Sequence, residues 1–353
     1  MHVIGLDPGF GNIKVAAGGQ VRVIPSLVAV PRRLGMAASG LRLHRTTIVR
    51  FEGHEYAIGS GAPLRGTVYE SIDESRFLTA PVLALMLGAI ALLVEHQHEP
   101  LLLVVGLPVA MMQANTGTKG LVKALQSRLS GHHCLEVDGR RVELRIERVW
   151  TRAQPLGVWA EWAVQESGEL HAGARRSLIG VVDIGFNTVD IFGIQGGEMH
   201  AGMMAGAELG VRLLLEDATA DYDMPYHQLL WRFSEGALNV TQQAVADWAG
   251  EIAGFIRRQW RKVRPDMVVL AGGGAALLQD WGLTDIIRHA VRCDIYLPGD
   301  PVTAGARGLE KLGKAMLKRQ QMRQMAAQLP RAQVDAHAQE SQAGYLHQHP
   351  PDA

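Results

Sequence analysis

The sequence predicts an α/β protein of two lobes, and three observations predict it. The first is a duplicated strand–turn unit. Asp7-Pro8-Gly9-Phe10-Gly11-Asn12-Ile13-Lys14 stands near the start, and Asp183-Ile184-Gly185-Phe186-Asn187-Thr188-Val189-Asp190 stands far downstream. Each follows an apolar run, residues 3–6 and 179–182, and an internal repeat of this kind is hard to obtain by chance. The second is a buried-type strand over residues 267–271 that runs into Gly272-Gly273-Gly274 and then a helical pattern. The third is length: 353 residues are enough to bury two cores.

In chain order, residues 3–6, 13–17 and 21–24 read as a meander of strands with tight turns. Residues 31–75 are polar and irregular, with strand-like stretches at 47–51 and 55–58 around Gly53, and read as a small insert. Residues 77–94 are almost continuously apolar and of membrane-spanning length. Pro81 in a first helical turn and the strand at 101–105 beyond favour a buried helix instead, extending to residue 97. A helix over 118–129 follows, then a hairpin of 134–137 and 142–149 turning on Asp138-Gly139. A Trp- and Ala-rich helix over 155–167 crosses to the second lobe.

The second lobe repeats the opening, with strands over 178–183, 188–194 and 198–204 and a turn at Gly196-Gly197. Helices are expected over 208–217 and 242–263, the latter from Val245, Trp248, Ile252, Phe255, Ile256 and Trp260 at helical spacing. The resulting division is a first lobe at 1–153, a second at 154–300 with an insert at about 210–265, and a closing helix at 301–318 that returns to the first lobe. Residues 325–353, rich in Gln, Ala and His, read as a disordered polar tail.

Composition narrows the function classes. Lys plus Arg and Asp plus Glu number 35 each, so bulk charge marks neither a nucleic-acid binder nor a polybasic membrane protein. Two cysteines, Cys134 and Cys293, form no zinc or disulfide framework, and no signal-peptide pattern opens the chain, so a reducing cytoplasm is expected. The pairs His96/His98 and His132/His133 lack carboxylate or cysteine partners at ligand spacing. Residues 255–261 read as a helix with one buried and one basic face rather than a DNA reader.

The repeated unit carries the chemistry. A strand that ends on an aspartate and turns on glycines exposes backbone N–H groups that can cradle phosphates. The aspartate at the strand end can hold magnesium or its waters. Lys14 is placed to reach a β- or γ-phosphate, and Thr188 can add a hydroxyl. Asp190 is either an acid standing behind the site or a turn cap. The glycines at 272–274 would let a flat ring approach the backbone.

This order of phosphate hairpin, linking helix, second phosphate hairpin, Gly-Gly-Gly loop and closing helix resembles the actin-like ATPases. Asp7-x-Gly-x-x-Asn12-x-Lys14, Gly106-Leu107-Pro108-Val109 and Asp183-x-Gly-x-x-Thr188-x-Asp190 bring it nearest the plasmid-segregation ParM/StbA branch, over roughly residues 1–315. The resemblance implies two lobes, each on a ribonuclease H-like βββαβαβα core. It implies ATP (or GTP) with Mg, Asp7 and Asp183 positioning the metal largely through water, and Asp183 helping to activate the attacking water. Gly9, Gly11, Asn12 and Lys14 would bind phosphates from one side, and Gly185, Asn187 and Thr188 from the other. Gln154 would orient the hydrolytic water, or else cap the helix after it. Gly272, Gly273 and Gly274 would face adenine and ribose, with Gly206 and Glu208 on the ribose side.

The activity implied is slow ATP hydrolysis stimulated by polymerisation. The partners implied are identical subunits in a filament and a ParR-like DNA-binding adaptor at a centromere-like site, with no direct DNA or membrane contact. A small-molecule kinase and a cell-division or pilus-type scaffold are the alternatives within the superfamily. Pro8, Phe10 and Phe186 depart from the family pattern of small or hydroxyl residues in these loops.

Overall fold

The computed structural model describes residues 1–32, 46–71, 73–94, 99–112, 119–219 and 224–328. The first lobe opens with β1 (His2–Pro8), β2 (Asn12–Ala17) and β3 (Gln20–Pro25), an antiparallel meander. β4 (Val28–Pro31), β5 (Thr47–Phe51), β6 (His54–Ile58) and β7 (Gly66–Val68) build the insert, and a 3-10 turn at Glu74–Leu78 leads to α1 (Ala80–Ala91). β8 (Leu101–Leu107), α2 (Val109–Met112), α3 (Lys119–Leu129), β9 (Gly131–Val137) and β10 (Arg140–Ala153) complete it. The sheet order is β3-β2-β1-β8-β10-β9-β5-β6-β4-β7. The insert is thus no appendage: Val49 and Arg50 of β5 pair with Val137 and Glu136 of β9, so it extends the same sheet.

Two short helices, α4 (Gln154–Ala163) and α5 (Ala172–Arg176), lead into the second lobe. There β11 (Leu178–Ile184), β12 (Val189–Gln195), β13 (Glu198–Met199) and β14 (Ala205–Ala207) precede α6 (Val211–Thr219), α7 (Tyr226–Ser234) and α8 (Gln242–Gln259). β15 (Met267–Ala271), α9 (Gly273–Asp280), α10 (Thr284–Val291), β16 (Asp294–Tyr296) and α11 (Ala304–Gln328) follow. The second sheet runs β13-β12-β11-β15-β16, with β14 also on β12. Its β11 is parallel to β15 and β15 to β16, as β1 is to β8 and β8 to β10. Five strands of each lobe therefore share one order and one set of directions, which is the expected duplication of a βββαβαβ core.

The apolar stretch at 77–94 is core. α1 buries every residue from Val82 to Ala91 in the first lobe, and no described helix is long and apolar enough to cross a membrane. α4 and α11 exchange lobes. α4 packs Val158, Trp159 and Ala160 with Ile179, Val181 and Val269 of the second sheet, while Leu309 of α11 packs with Val3, Leu102 and Val104 of the first. The two helices touch backbone to backbone, since a Cβ on Gly308 would stand 1.7 Å from the Gly157 carbonyl oxygen. Only glycine permits that crossing.

Expectations need correction at several points, among them α1, which ends at Ala91 rather than running on to residue 97. The strand at 198–204 is β13, a 3-10 turn at Ala201–Met203 and then β14, because Met203 turns inward to pack against Gly193. The helix expected at 208–217 begins at Val211, after the chain turns back on the second hairpin through Arg212 N–H to the Phe186 carbonyl. α7 lies inside the insert at 210–265 and was not anticipated. The closing helix runs on past Lys318 to Gln328, so residues 325–328 are helical rather than tail; 329–353, like His96 and His98, lie outside the described residues.

Candidate functional site

A cavity of about 620 Å³ opens between the lobes, with the two aspartate hairpins facing each other across it. Asp7 stands one residue before the end of β1 and sits opposite Lys14 of β2 in the hairpin register. Its two carboxylate oxygens are both engaged: Lys14 Nζ donates to Oδ2 at 2.9 Å and Gln154 Nε2 donates to Oδ1 at 2.8 Å. Gln154 opens α4 without capping it. The capping position is Ala153, which offers no side-chain bond, and the amide instead spans to the first hairpin.

Asp183 occupies the same place in the second hairpin, opposite Asp190. Burial first, then the nearby Asp7 charge, raise its pKa to about 7, against a lowering pull from Lys14. Burial also opposes the charge on Lys14. Asp7 and Asp183 outweigh that, and its pKa lies above the ordinary lysine value. Asp190 is pushed up by burial and partly held down by the Thr188 hydroxyl, which donates to Oδ2 at 2.9 Å. The Thr188 proton is therefore engaged within the hairpin rather than free for a phosphate.

The cavity brings together Asp7, Gly9, Gly11, Asn12, Lys14 and Gln154 from one side. Asp183, Gly185, Asn187, Thr188, Gly206 and Glu208 line the other, with Gly272 and Gly273 beyond them. Asn187 Oδ1 is buried with no hydrogen-bond partner, an acceptor that a bound hydroxyl or water would satisfy. Gly272 holds φ +93°, and a Cβ there would strike the Ile184 carbonyl and Asp183 Oδ1 at 2.3 and 2.5 Å, so the strand end and the aspartate fix a glycine. Gly274 is not in the cavity. It packs on Ile184 and Trp248, where any side chain would collide, and its place is structural.

Sequence reasoning missed the apolar wall. Phe186, Val211, Leu230 and Phe233 line the cavity, as does Glu74, whose carboxyl is pushed up by burial and by Asp73. Leu230 and Phe233 share a face of α7, a spacing visible in the sequence, but only the packing of α7 against the first lobe carries them into the cleft.

The donor set suits magnesium. Among the described residues no three His, Cys, Asp or Glu side chains cluster as a self-sufficient metal cage. Two facing carboxylates, Asp7 and Asp183, the latter raised to about 7 by burial first and then by the Asp7 charge, match a hard cation that completes its shell with water and phosphate oxygens.

A model of the N-terminal domain of actin-like proteins matches residues 5–157. No protein of curated function matches the chain by sequence. Among solved structures, the apo ParM protein of pSK41 aligns over 90% of this chain and 98% of its own, with TM-score 0.69 and 17% identity. A 15-stranded ParM filament from Clostridium botulinum gives 0.66 and 18%, over 89% of this chain and 99% of that one. The archaeal actin homolog Ta0583 in complex with ADP gives 0.65 and 20%, also over 89% and 99%. The chain has the two-lobed fold of the actin-like proteins, ParM among them, and its first lobe matches their N-terminal domain.

Proposed function

We propose that this protein binds ATP with magnesium in the interlobe cleft, hydrolyses it slowly, and polymerises into filaments that segregate DNA in the cytoplasm. The observation that carries the reading is the pair of facing hairpins, Asp7 with Gln154 on one side and Asp183 on the other, around one cavity with a glycine-lined end. The ADP complex of one structural neighbour and the filament of another support it.

In this reading Gly9, Gly11, Asn12 and Lys14 cradle the phosphates from the first lobe and Gly185 and Asn187 from the second, while Gly272 and Gly273 face the nucleoside. Thr188 acts through Asp190. Magnesium, when bound, neutralises phosphate charge and orients the oxygens. Asp7 and Asp183 would hold it, largely through water. Gln154, fixed through Nε2 on Asp7, keeps Oε1 free to accept from the attacking water. An amide aligns water but is a poor base, which fits slow turnover. Loss of the γ-phosphate removes a group bridging both lobes and relaxes the clamp. An adaptor bound at a centromere-like DNA site would tether the filament.

Sedimentation with MgATP, MgADP or neither, alongside phosphate release, tests the reading. Filaments should pellet with MgATP alone, and Gln154→Ala should slow phosphate release by about a hundredfold while prolonging the filaments. ATP hydrolysis without any pelletable species would remove the segregation reading. A phosphorylated small-molecule product would replace it with a kinase.

A further inference from the structure

We propose that Arg76 and Tyr226 are positioning residues that grip the backbone of the first phosphate loop from opposite lobes, making the loop's shape and the closure of the cleft a single event. The inference rests on the nucleotide reading above.

The three carbonyls of the loop are each taken by a donor from outside it. Gly9 O accepts from Ser26 Oγ at 2.7 Å and from Arg76 Nη2 at 3.2 Å. Gly11 O accepts from the Ser26 N–H at 2.9 Å. Phe10 O accepts from the Tyr226 hydroxyl, which comes from the second lobe. In a trans peptide the C=O and N–H point in opposite directions. Each carbonyl so held fixes its peptide plane, and with it the direction of the next residue's N–H, which is what a phosphate cradle needs.

Arg76 is an unusual group for a structural role alone. It is only 4% exposed, forms no salt bridge among the described residues, and leaves Nε buried without a partner. Its guanidinium lies 4.3 Å from the centre of the Phe10 ring and also meets the Tyr226 hydroxyl. A buried cation held by a carbonyl, a hydroxyl and a ring face keeps its positive field directed at the loop it touches.

Tyr226 touches both hairpins at once. Its hydroxyl bonds to Phe10 O, and its ring stands edge-on to Phe186 with centroids 5.4 Å apart. Burial pushes its pKa up to about 12, so the donating proton stays in place. The helix it opens is seated on the first lobe: Glu70 accepts from the His227 N–H and faces His227 Nδ1, both at 3.2 Å, and Leu230 is buried against Leu27, Ala29, Ala57 and Ala62. Phe10 and Phe186, the two aromatic departures from the family pattern, thus find their use as the ring partners of Arg76 and Tyr226.

The test compares wild type, Tyr226→Phe and Arg76→Lys, following dissociation of a fluorescent ATP analogue with magnesium by stopped flow, with thermal unfolding measured without nucleotide. Tyr226→Phe keeps the ring on Phe186 and removes only the hydroxyl. It should speed dissociation about tenfold, the worth of one buried hydrogen bond, while the nucleotide-free unfolding midpoint falls by no more than a few degrees. Arg76→Lys keeps the charge but not the fork, and should speed dissociation comparably. Equal dissociation in wild type and Tyr226→Phe would overturn the grip and leave the nucleotide reading standing. A wild type that binds no nucleotide would overturn both. Should Arg76→Lys fail to fold, Tyr226→Phe decides alone.

Discussion

The two hairpins are alike in backbone and unlike in charge. In each, an aspartate stands one residue before the end of the first strand, a glycine follows two residues later, and the cross-strand partner lies seven residues on, Asp7 with Lys14 and Asp183 with Asp190. Gly9 approaches the Asn12 carbonyl as Gly185 approaches that of Thr188. Yet the first hairpin pairs acid with base and adds the Gln154 amide, whereas the second pairs acid with acid and offers only the Thr188 hydroxyl, to Asp190. One half of the cleft is electrostatically complete as it folds. The other is short of positive charge, and a divalent cation between them would supply it. The charge asymmetry of this duplicated site traces to one position, Lys14 in the first hairpin and Asp190 in the second.

The largest expected effect comes from breaking the completed side. Lys14→Ala would leave Asp7 almost wholly buried without its cation. Stranding one partner of a buried pair costs about 3–5 kcal/mol, read as a drop in unfolding free energy by denaturant titration at neutral pH. The double change Asp7→Asn with Lys14→Met should recover most of that loss, because neither charge is then stranded. A loss near zero in Lys14→Ala would mean that the first hairpin tolerates an unpaired acid as the second does, and the contrast would collapse.

That contrast was half legible in the sequence. Asp7, Lys14, Asp183 and Asp190 stand out because strand–turn–strand chemistry is local: apolar runs, glycines and an alternating register suffice to place them. The glycines at 272 and 273 were legible for the same reason, while Gly274 was not separable from them, since only packing on Ile184 tells it apart. What depends on distant pairing stayed hidden. Gln154 reaches Asp7 across 147 residues, Tyr226 reaches Phe10 across 216, and β5 joins β9 to make the insert part of the sheet. No local pattern encodes those meetings. The fold itself was legible because the duplication repeats one local unit twice.

A smaller effect, of opposite sign, belongs to the incomplete side. The Asp183 carboxyl has its folded pKa raised to about 7 from an ordinary value near 3.8. Between those two pH values the folded chain holds a proton that the unfolded chain has released. Stability is therefore fully present below the lower value and is lost as pH rises through about 7. Asp183→Asn mimics the protonated form. Without divalent ions it should be more stable than wild type at pH 8 by on the order of 1–3 kcal/mol, less than the full shift because cleft water still reaches the carboxylate. The two should coincide near pH 4. Thermal unfolding across this range decides it, and a constant difference at every pH would show that Asp183 carries no such strain. Magnesium with nucleotide should erase the wild-type deficit.

The smallest effect tests whether Thr188 serves the hairpin or the ligand. Its hydroxyl donates to Asp190 Oδ2 and pulls the Asp190 pKa down against the larger upward push of burial. Thr188→Val preserves the shape and removes that donor, so it should cost about 0.5–1.5 kcal/mol where Asp190 is charged. The cost should shrink at acid pH, where Asp190 is protonated in both folded and unfolded chains and the hydroxyl no longer favours one form. MgATP affinity should change by less than about threefold, since the hydroxyl proton faces Asp190. If affinity instead falls tenfold or more while stability holds, Thr188 turns its hydroxyl to the phosphate on binding. The second hairpin would then be completed by its ligand in two places rather than one.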